Sequence, residues 1–405
     1  MISKWRILWL IAVAEFLVMI LWFSASAVIP QLTLEWGLNS GQQSWLTMSV
    51  QLGFVVGALA SALLNLSDRF PAQWVFAVSA VVGAAATACI AMLSVSFGWV
   101  LVFRFLTGAM LSGVYPPGMK LMASWFKEDR GLAIGVLVGA LTVGSAAPHL
   151  ITGSDVFGAA DAIVPWRQVL LIASGLAVVG AIIAAAGVRS GPLLPAVSRF
   201  DWQYAGRMWK DKAVRLANFG YFGHMWELYA MWTWVPLCLL ASYQAAGWDD
   251  GRAHVAGFCV IAIGGLGSII AGRLADRLGR TRIAIISICA SGSCALVAGF
   301  AFPAPALLTV ICVVWGFAVV AESAQYSTAV SELCDQRYVG TALTMQTCIG
   351  FLLTMITIRW IPSLVEQAGW GAAFAMLAVG PSVGIWFMAR LRQLPEAVKM
   401  ASGQR

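Results

Sequence analysis

The sequence predicts an all-α membrane protein with twelve transmembrane helices arranged as two pseudo-symmetric six-helix bundles. Three observations carry this expectation. Of 405 residues, 60% are hydrophobic and only 11% charged, with a mean hydropathy of +0.84. A soluble globular chain is therefore excluded, and at about 20 apolar residues per span the length leaves room for roughly a dozen helices with short connections. Lys and Arg are also sorted by side: of the 25 present, all but Arg104, Arg167, Arg252 and Arg359 fall at one set of span ends. Lys and Arg in short loops are retained inside, so these ends are read as cytoplasmic, and the net charge of +7 sets topology without calling for a nucleic acid. Lastly, Leu66-Ser67-Asp68-Arg69 returns as Leu274-Ala275-Asp276-Arg277, and Gly108 returns as Gly316 at the same offset.

Taken in order, helix 1 is expected from about Trp5 to Ile29. Its start is basic, with Lys4 and Arg6, but the apolar run is longer than a signal core and carries Glu15 in its middle, so it reads as a retained span with its N-terminus inside. Helix 2 follows from about Ser44 to Leu64, helix 3 from Trp74 to Leu93, helix 4 from Trp99 to Met122 and helix 5 from Leu132 to Ile151, while helix 6 ends near Val188. Residues 1–190 thus form the first bundle. Residues 191–214 mix Arg199, Arg207, Lys210 and Lys212 with Phe200, Trp202, Tyr204 and Trp209, which suits an amphipathic segment lying on the cytoplasmic face. Helices 7 to 12 are expected near 216–241, 254–274, 282–302, 306–328, 339–361 and 371–390, making 215–405 the second bundle.

The stretch Gly272 to Arg282, GRLADRLGRTR, packs Asp276 among Arg273, Arg277, Arg280 and Arg282. That is too much charge for hydrocarbon, so a short loop at the cytoplasmic surface is predicted. Gly272 and Gly279 permit close helix approach and a tight turn. The pattern resembles the loop signature of the major facilitator superfamily of secondary transporters, with Asp68 and Arg69 as its partial copy in the first half. The resemblance implies a conformational latch between helices 8 and 9, made of Gly272, Asp276, Arg277, Gly279 and Arg280 with Asp68 and Arg69. Arg104-Phe-Leu-Thr-Gly108 on helix 4 is similar to a second signature of that family, in which the arginine is associated with proton coupling. An arginine in a span needs a carboxylate, carbonyls or an anionic substrate beside it.

Ionisable groups inside spans are costly and so are candidates for function. Glu15 and Glu227 lie mid-way along helices 1 and 7, each followed seven residues later by a tryptophan, Trp22 and Trp234, on the same face. Burial favours the neutral form of a carboxyl, which suits a group that takes and releases a proton during transport. The alternative is a pair of glutamates that only hold helices together. Tyr221, His224 and Glu227 stand three residues apart on one face and suggest a proton relay or substrate clamp. His149 and His254 fall near other helix ends. Tyr115-Pro116-Pro117-Gly118 should bend helix 4 and free carbonyls there. Glu322 on helix 10 reads as a gate, a substrate contact or, by slight preference, the partner of an inner-loop arginine. Gln346 on helix 11 suits solvation of a polar substrate.

The family resemblance implies alternating access about a midplane site. No G-x-x-x-x-G-K phosphate loop is present, so the energy would come from a solute or ion gradient. The sequence thus points to a proton-coupled carrier of a small organic or anionic molecule in the cytoplasmic membrane, acting as a monomer in the lipid bilayer with both termini inside. No cofactor or metal is called for, since neither the eight cysteines nor the three histidines show ligand spacing. A uniporter, an exchanger, a drug-type efflux pump and a transporter-like receptor remain as alternatives. The general look is similar to the nitrate/nitrite and cyanate porters, although the buried arginines that nitrate porters carry on helices 2 and 8 have no counterpart.

Overall fold

The computed structural model describes residues 3–93, 96–126, 130–153, 163–193 and 200–404. Among these every regular element is helical. The first half holds α1 (Lys4–Phe23), α2 (Ser40–Leu64), α3 (Ala72–Met92), α4 in two pieces (Phe97–Leu111 and Tyr115–Trp125), α5 (Arg130–Gly153) and α6 (Trp166–Gly187). The second holds α7 (Lys212–Ala245), α8 (Asp250–Leu278), α9 (Arg280–Ala298) and α10 (Pro305–Leu333). The remaining helical stretch is divided at Gly369, where a φ of 75° and ψ of 176° breaks it into α11 (339–368) and α12 (370–392). Among the described residues ten segments are long and apolar enough to cross a membrane. The longest of them, Gln336–Arg392, contains both α11 and α12, and α7 completes the set of twelve. α7 is less apolar than the others, carrying Asn218, His224 and Glu227 together with several Trp and Tyr side chains.

The halves repeat one packing scheme. In the first, α1 packs on α5 and α6, α2 on α4, and α3 on α6; in the second, α7 packs on α11 and α12, α8 on α10, and α9 on α12. The echo of Gly108 in Gly316 is structural: a Cβ on Gly108 would collide with the Val50 carbonyl on α2, and one on Gly316 with the Val260 carbonyl on α8. Both glycines are therefore where the two backbones cross. Along two seams, α5 on α8 and α2 on α11, the halves meet.

Two elements depart from the expected boundaries. Helix 1 stops at Phe23, and a 3-10 turn over Ser26–Val28 leads into a short helix, Ile29–Trp36. Pro30 has no N–H to continue the ladder, and the Ser24 hydroxyl turns back onto the Leu21 carbonyl at 2.9 Å. The stretch Gly272 to Arg282 is not a loop. Helix continues to Leu278, Gly279 alone turns the chain with a φ of 96°, and α9 begins at Arg280. Charge is tolerated there because the side chains of a last helical turn can reach out of the apolar zone.

Between the halves, residues 194–199, including Arg199, lie outside the described residues. The amphipathic segment beyond them forms a helix over Trp202–Arg207, capped by the Asp201 carboxylate, which accepts from the Tyr204 N–H. It docks on the start of α11: the Asp201 N–H donates to the Thr341 hydroxyl at 3.1 Å, and Tyr204 stacks on Tyr338 with centroids 4.3 Å apart. Partial burial pushes the Tyr204 hydroxyl up to about 12.

Candidate functional site

The site builds from the broken ends of helices. Because α1 stops at Phe23, the carbonyls of Leu21 and Trp22 lose their helical partners, and the negative end of the α1 dipole faces α4. Arg104 fills this end. Its guanidinium donates to the carbonyls of Leu21 (3.0 Å), Trp22 (2.5 Å) and Leu46 (3.2 Å) and to the Ser24 hydroxyl (3.3 Å), and it is fully buried. Among the described residues no carboxylate pairs with it. Of the partners an arginine in a span requires, the structure supplies carbonyls.

Helix 4 breaks where the proline pair predicts, ending at Leu111 and resuming at Tyr115. Gly118, one turn on, makes room for Glu15, whose Oε2 lies 2.8 Å from where a Cβ would stand. Glu15 is fully buried, and neither carboxyl oxygen has a hydrogen-bond partner. Tyr115 lies within electrostatic reach of Glu15. It is likewise within electrostatic reach of Tyr221 and Tyr229 on α7.

Glu227 lies midway along α7 and is held differently. It accepts from the Ser291 hydroxyl on α9 at 3.1 Å and from the Trp315 indole N–H on α10. The ladder Tyr221, His224, Glu227 therefore divides. His224 Nδ1 meets Glu322 Oε1 at 2.7 Å, and the Tyr326 hydroxyl donates to the other oxygen at 3.2 Å. Glu322 is thus tied to a histidine and a tyrosine. Among the described residues no inner-loop arginine meets it; Arg280 is instead gripped at both ends of its fork by Glu332, at 2.8 Å each. Gln346 is buried with both amide atoms unpartnered.

On the other side of these polar groups from the chain termini, aromatic rings from both halves close on one another. Trp22 contacts Phe54, Tyr229 and Phe351 at 5.0, 5.8 and 5.5 Å between centroids, and Phe23 meets Trp232 at 5.8 Å. Trp234, which shares Glu227's face in the sequence, lies elsewhere; its indole donates to the Ile358 carbonyl at 3.1 Å. Between α2 and α11, Thr354 bonds Gln51, and Ser44 reaches the Ile358 carbonyl at 3.4 Å.

At the turn between α8 and α9, Asp276 pairs with Arg280 at 3.1 Å, and its Oδ2 occupies the space beside Gly131 on α5 of the other half. Gly272 also faces Gly131, while Arg277 and Arg69 are exposed. The side chain of Asp68 is outside the described residues. The C-terminal segment joins this cluster through the Ala401 N–H, which donates to Glu332 at 3.1 Å. Sequence reasoning missed Glu332, Trp315 and Ser291. An acid in the last turn of an apolar helix was a signal for Glu332; nothing local marks the other two, since only the fold brings them to Glu227. Among the described residues no group of three or more His, Cys, Asp or Glu side chains gathers as a metal site.

Two helical halves facing each other across buried acids, phenols and a ring cluster define a membrane transporter rather than an enzyme. The chain belongs to the Major Facilitator Superfamily, whose profile matches residues 11–358 and 217–404. It is 25% identical over 336 residues to the niacin transporter NiaP of Acinetobacter baylyi, covering 71% of this chain and 70% of that protein. It is likewise 25% identical over 365 residues to an uncharacterised transporter of the same superfamily from Mycobacterium tuberculosis, covering 86% of this chain and 75% of the relative. The fold is that of the proton:xylose symporter XylE, with a TM-score of 0.73 over 96% of this chain and 95% of the other at 14% identity. The nucleoside transporter NupG superposes with a TM-score of 0.70 at 15% identity, covering 95% and 99%.

Proposed function

We propose that the protein is a proton-coupled carrier of a small organic solute, working by alternating access in the cytoplasmic membrane with both termini inside. The observation that carries this is Glu15: a fully buried carboxyl with no hydrogen-bond partner, lodged in the space that Gly118 leaves beside the break in α4. An unpaired carboxylate in such a place is far too costly to persist, so the group is neutral there and must ionise when water reaches it. A group that gains and loses its proton as access alternates is what coupling requires. Trp22, Tyr229 and Phe351 offer ring faces, and Gln346 offers a donor and an acceptor without partners, a lining suited to a flat polar molecule. Nitrate selectivity is not proposed, because among the described residues the buried cations are Arg104 and Arg280, neither on α2 nor on α8. Residues 1–190 and 215–405 are taken as the two rocking bodies, linked by 191–214.

Nicotinate is the first probe, on the strength of the niacin-transporting relative. Purified protein in liposomes should accumulate labelled nicotinate, or a solute picked out by thermal-shift screening, when the outside is acid. Glu15→Gln should abolish accumulation while leaving exchange of solute at equal pH intact. Accumulation that survives a protonophore, or that persists in Glu15→Gln, refutes the coupling role.

A further inference from the structure

The seam between α5 and α8 runs the whole length of the two helices and is lined by small residues. Gly135 abuts Ser268, whose hydroxyl donates to the Gly135 carbonyl at 3.0 Å, and Gly139 faces Gly265. At the end away from the chain termini the seam changes character. A Cβ on Gly153 would lie 2.6 Å from the Cβ of His254 and 2.8 Å from the Gly251 carbonyl oxygen, so α8 places His254 against the last turn of α5. His149 stands one turn before Gly153 on the same face, within electrostatic reach of His254. Only 2% of His149 and 7% of His254 are exposed, and both ring nitrogens of His149 are buried with no partner. A histidine from each half is thus buried inside the contact that must part when the far face opens.

We propose that the His149–His254 pair is a proton-binding site that controls opening of the far end of the α5–α8 seam. The closed seam accepts only the neutral His149 ring, because an imidazolium there would have two donors without acceptors and a second histidine beside it. Once the seam parts, water reaches the ring, which then protonates near an ordinary histidine pH of about 6.5. Each proton taken up only by the open form shifts the equilibrium toward it, by up to about tenfold per pH unit below that value and by nothing above it. Asp155 and Asp161 lie outside the described residues; of the titratable groups described near this end, the Arg252 side chain is exposed, and on α7, which packs on α8, the Tyr243 hydroxyl bonds the Thr309 hydroxyl at 3.0 Å and Cys238 is buried. On α8, Asp249 and Asp250 are within electrostatic reach of His254, Asp249 caps the Arg252 N–H at 2.8 Å, and Asp250 accepts from Gln244 at 3.0 Å. On α6, Arg167 is paired with Glu35 at 3.3 Å. The ends of α1 and α10 that pack here, and the Ser26–Val28 turn, carry no titratable side chain among the described residues. The two aspartates act on His254 in the closed seam as well, so the shift rests chiefly on His149, whose ring nitrogens have no partner.

Hydrogen–deuterium exchange of the full chain in lipid nanodiscs reads this directly and needs no substrate. After correction for intrinsic exchange, amides of 146–153 and 250–258 should lose protection by roughly tenfold per pH unit below about 6.5, while those of 131–139 and 265–272 should not. His149→Gln and His254→Gln should each weaken the dependence, and the double substitution should remove it. A wild-type far end whose protection does not change between pH 5 and 8 overturns the proposal without any variant. So does an undiminished dependence in the double variant.

Discussion

Glu15 and Glu227 stand midway along the corresponding first helices of the two halves, yet their surroundings set them apart chemically. Glu227 accepts from two fixed donors, the Trp315 indole and the Ser291 hydroxyl, while Glu15 has neither. A carboxyl cradled by donors is a good structural anchor, since moving its proton disturbs partners that cannot leave; a carboxyl without partners has only its proton to satisfy it. The alternatives that the sequence leaves open for the pair, coupling or cohesion, are therefore divided in our reading, with coupling on Glu15 and cohesion on Glu227. Trp315→Phe tests the second half of this. Phe keeps an edge toward Phe374, whose ring stands 5.4 Å away, but withdraws one donor from a buried acid, which costs about 1–3 kcal/mol. A clear drop in melting temperature in detergent is expected, with solute-independent proton exchange on Glu15 unchanged; an unaltered melting temperature would return Glu227 to the list of coupling groups.

At the scale of helices, the crossing points decide how closely α2 packs on α4 and α8 on α10. Gly316→Val pushes a branched side chain into the Val260 backbone, which cannot turn aside as a side chain would, so a loss of about 1–3 kcal/mol is expected from overpacking. Gly206→Ala is the matched control: nothing lies within 4 Å of a Cβ there, and alanine in the short linker helix should stabilise it by about 0.5–1 kcal/mol. Thermal unfolding followed by tryptophan fluorescence separates the two signs. Residues like Gly316 explain what was legible in the sequence. Apolar runs, the sided distribution of Lys and Arg, and the offset shared by Asp68–Asp276 and Gly108–Gly316 are properties of the chain itself, and they led to twelve spans in two like halves. The bend at Tyr115-Pro116-Pro117 was legible for the same reason. Partnerships across helices were not. A three-residue spacing puts His224 and Glu227 on one face, but it cannot reveal that Glu322 approaches from α10 and takes the histidine. Nor can charge in GRLADRLGRTR distinguish a loop from a helix end whose arginine finds Glu332 some fifty residues on.

For the molecule as a whole, the α5–α8 seam is the contact whose two ends must part in turn if access alternates. Near the termini, Gly131 leaves space that Asp276 fills, with Oδ2 2.5 Å from where a Cβ would stand; at the other end Gly153 admits His254 at 2.6 Å. A side chain added at Gly153 meets the fixed His254 Cβ and the Gly251 carbonyl and so props open its own end, while one added at Gly131 first turns aside the half-exposed Asp276 carboxylate and loosens its end by less; the rest of the seam stays intact in both. At Gly153, overpacking of about 1–3 kcal/mol corresponds to a shift of roughly five- to 150-fold in the ratio of the two states; at Gly131 the shift is smaller, and the directions are opposite. Gly131→Val should enrich the form open on the face of the chain termini, and Gly153→Val the form open on the far face. Both should slow turnover, since a cycle must visit both states, and each should favour solute offered from the side it opens. Distances between spin labels placed on α2 and α11 at each face report the populations. If both variants shift the same way, the seam acts as a hinge about one fixed end rather than as a two-ended rocker, and the alternating geometry proposed for the two halves fails.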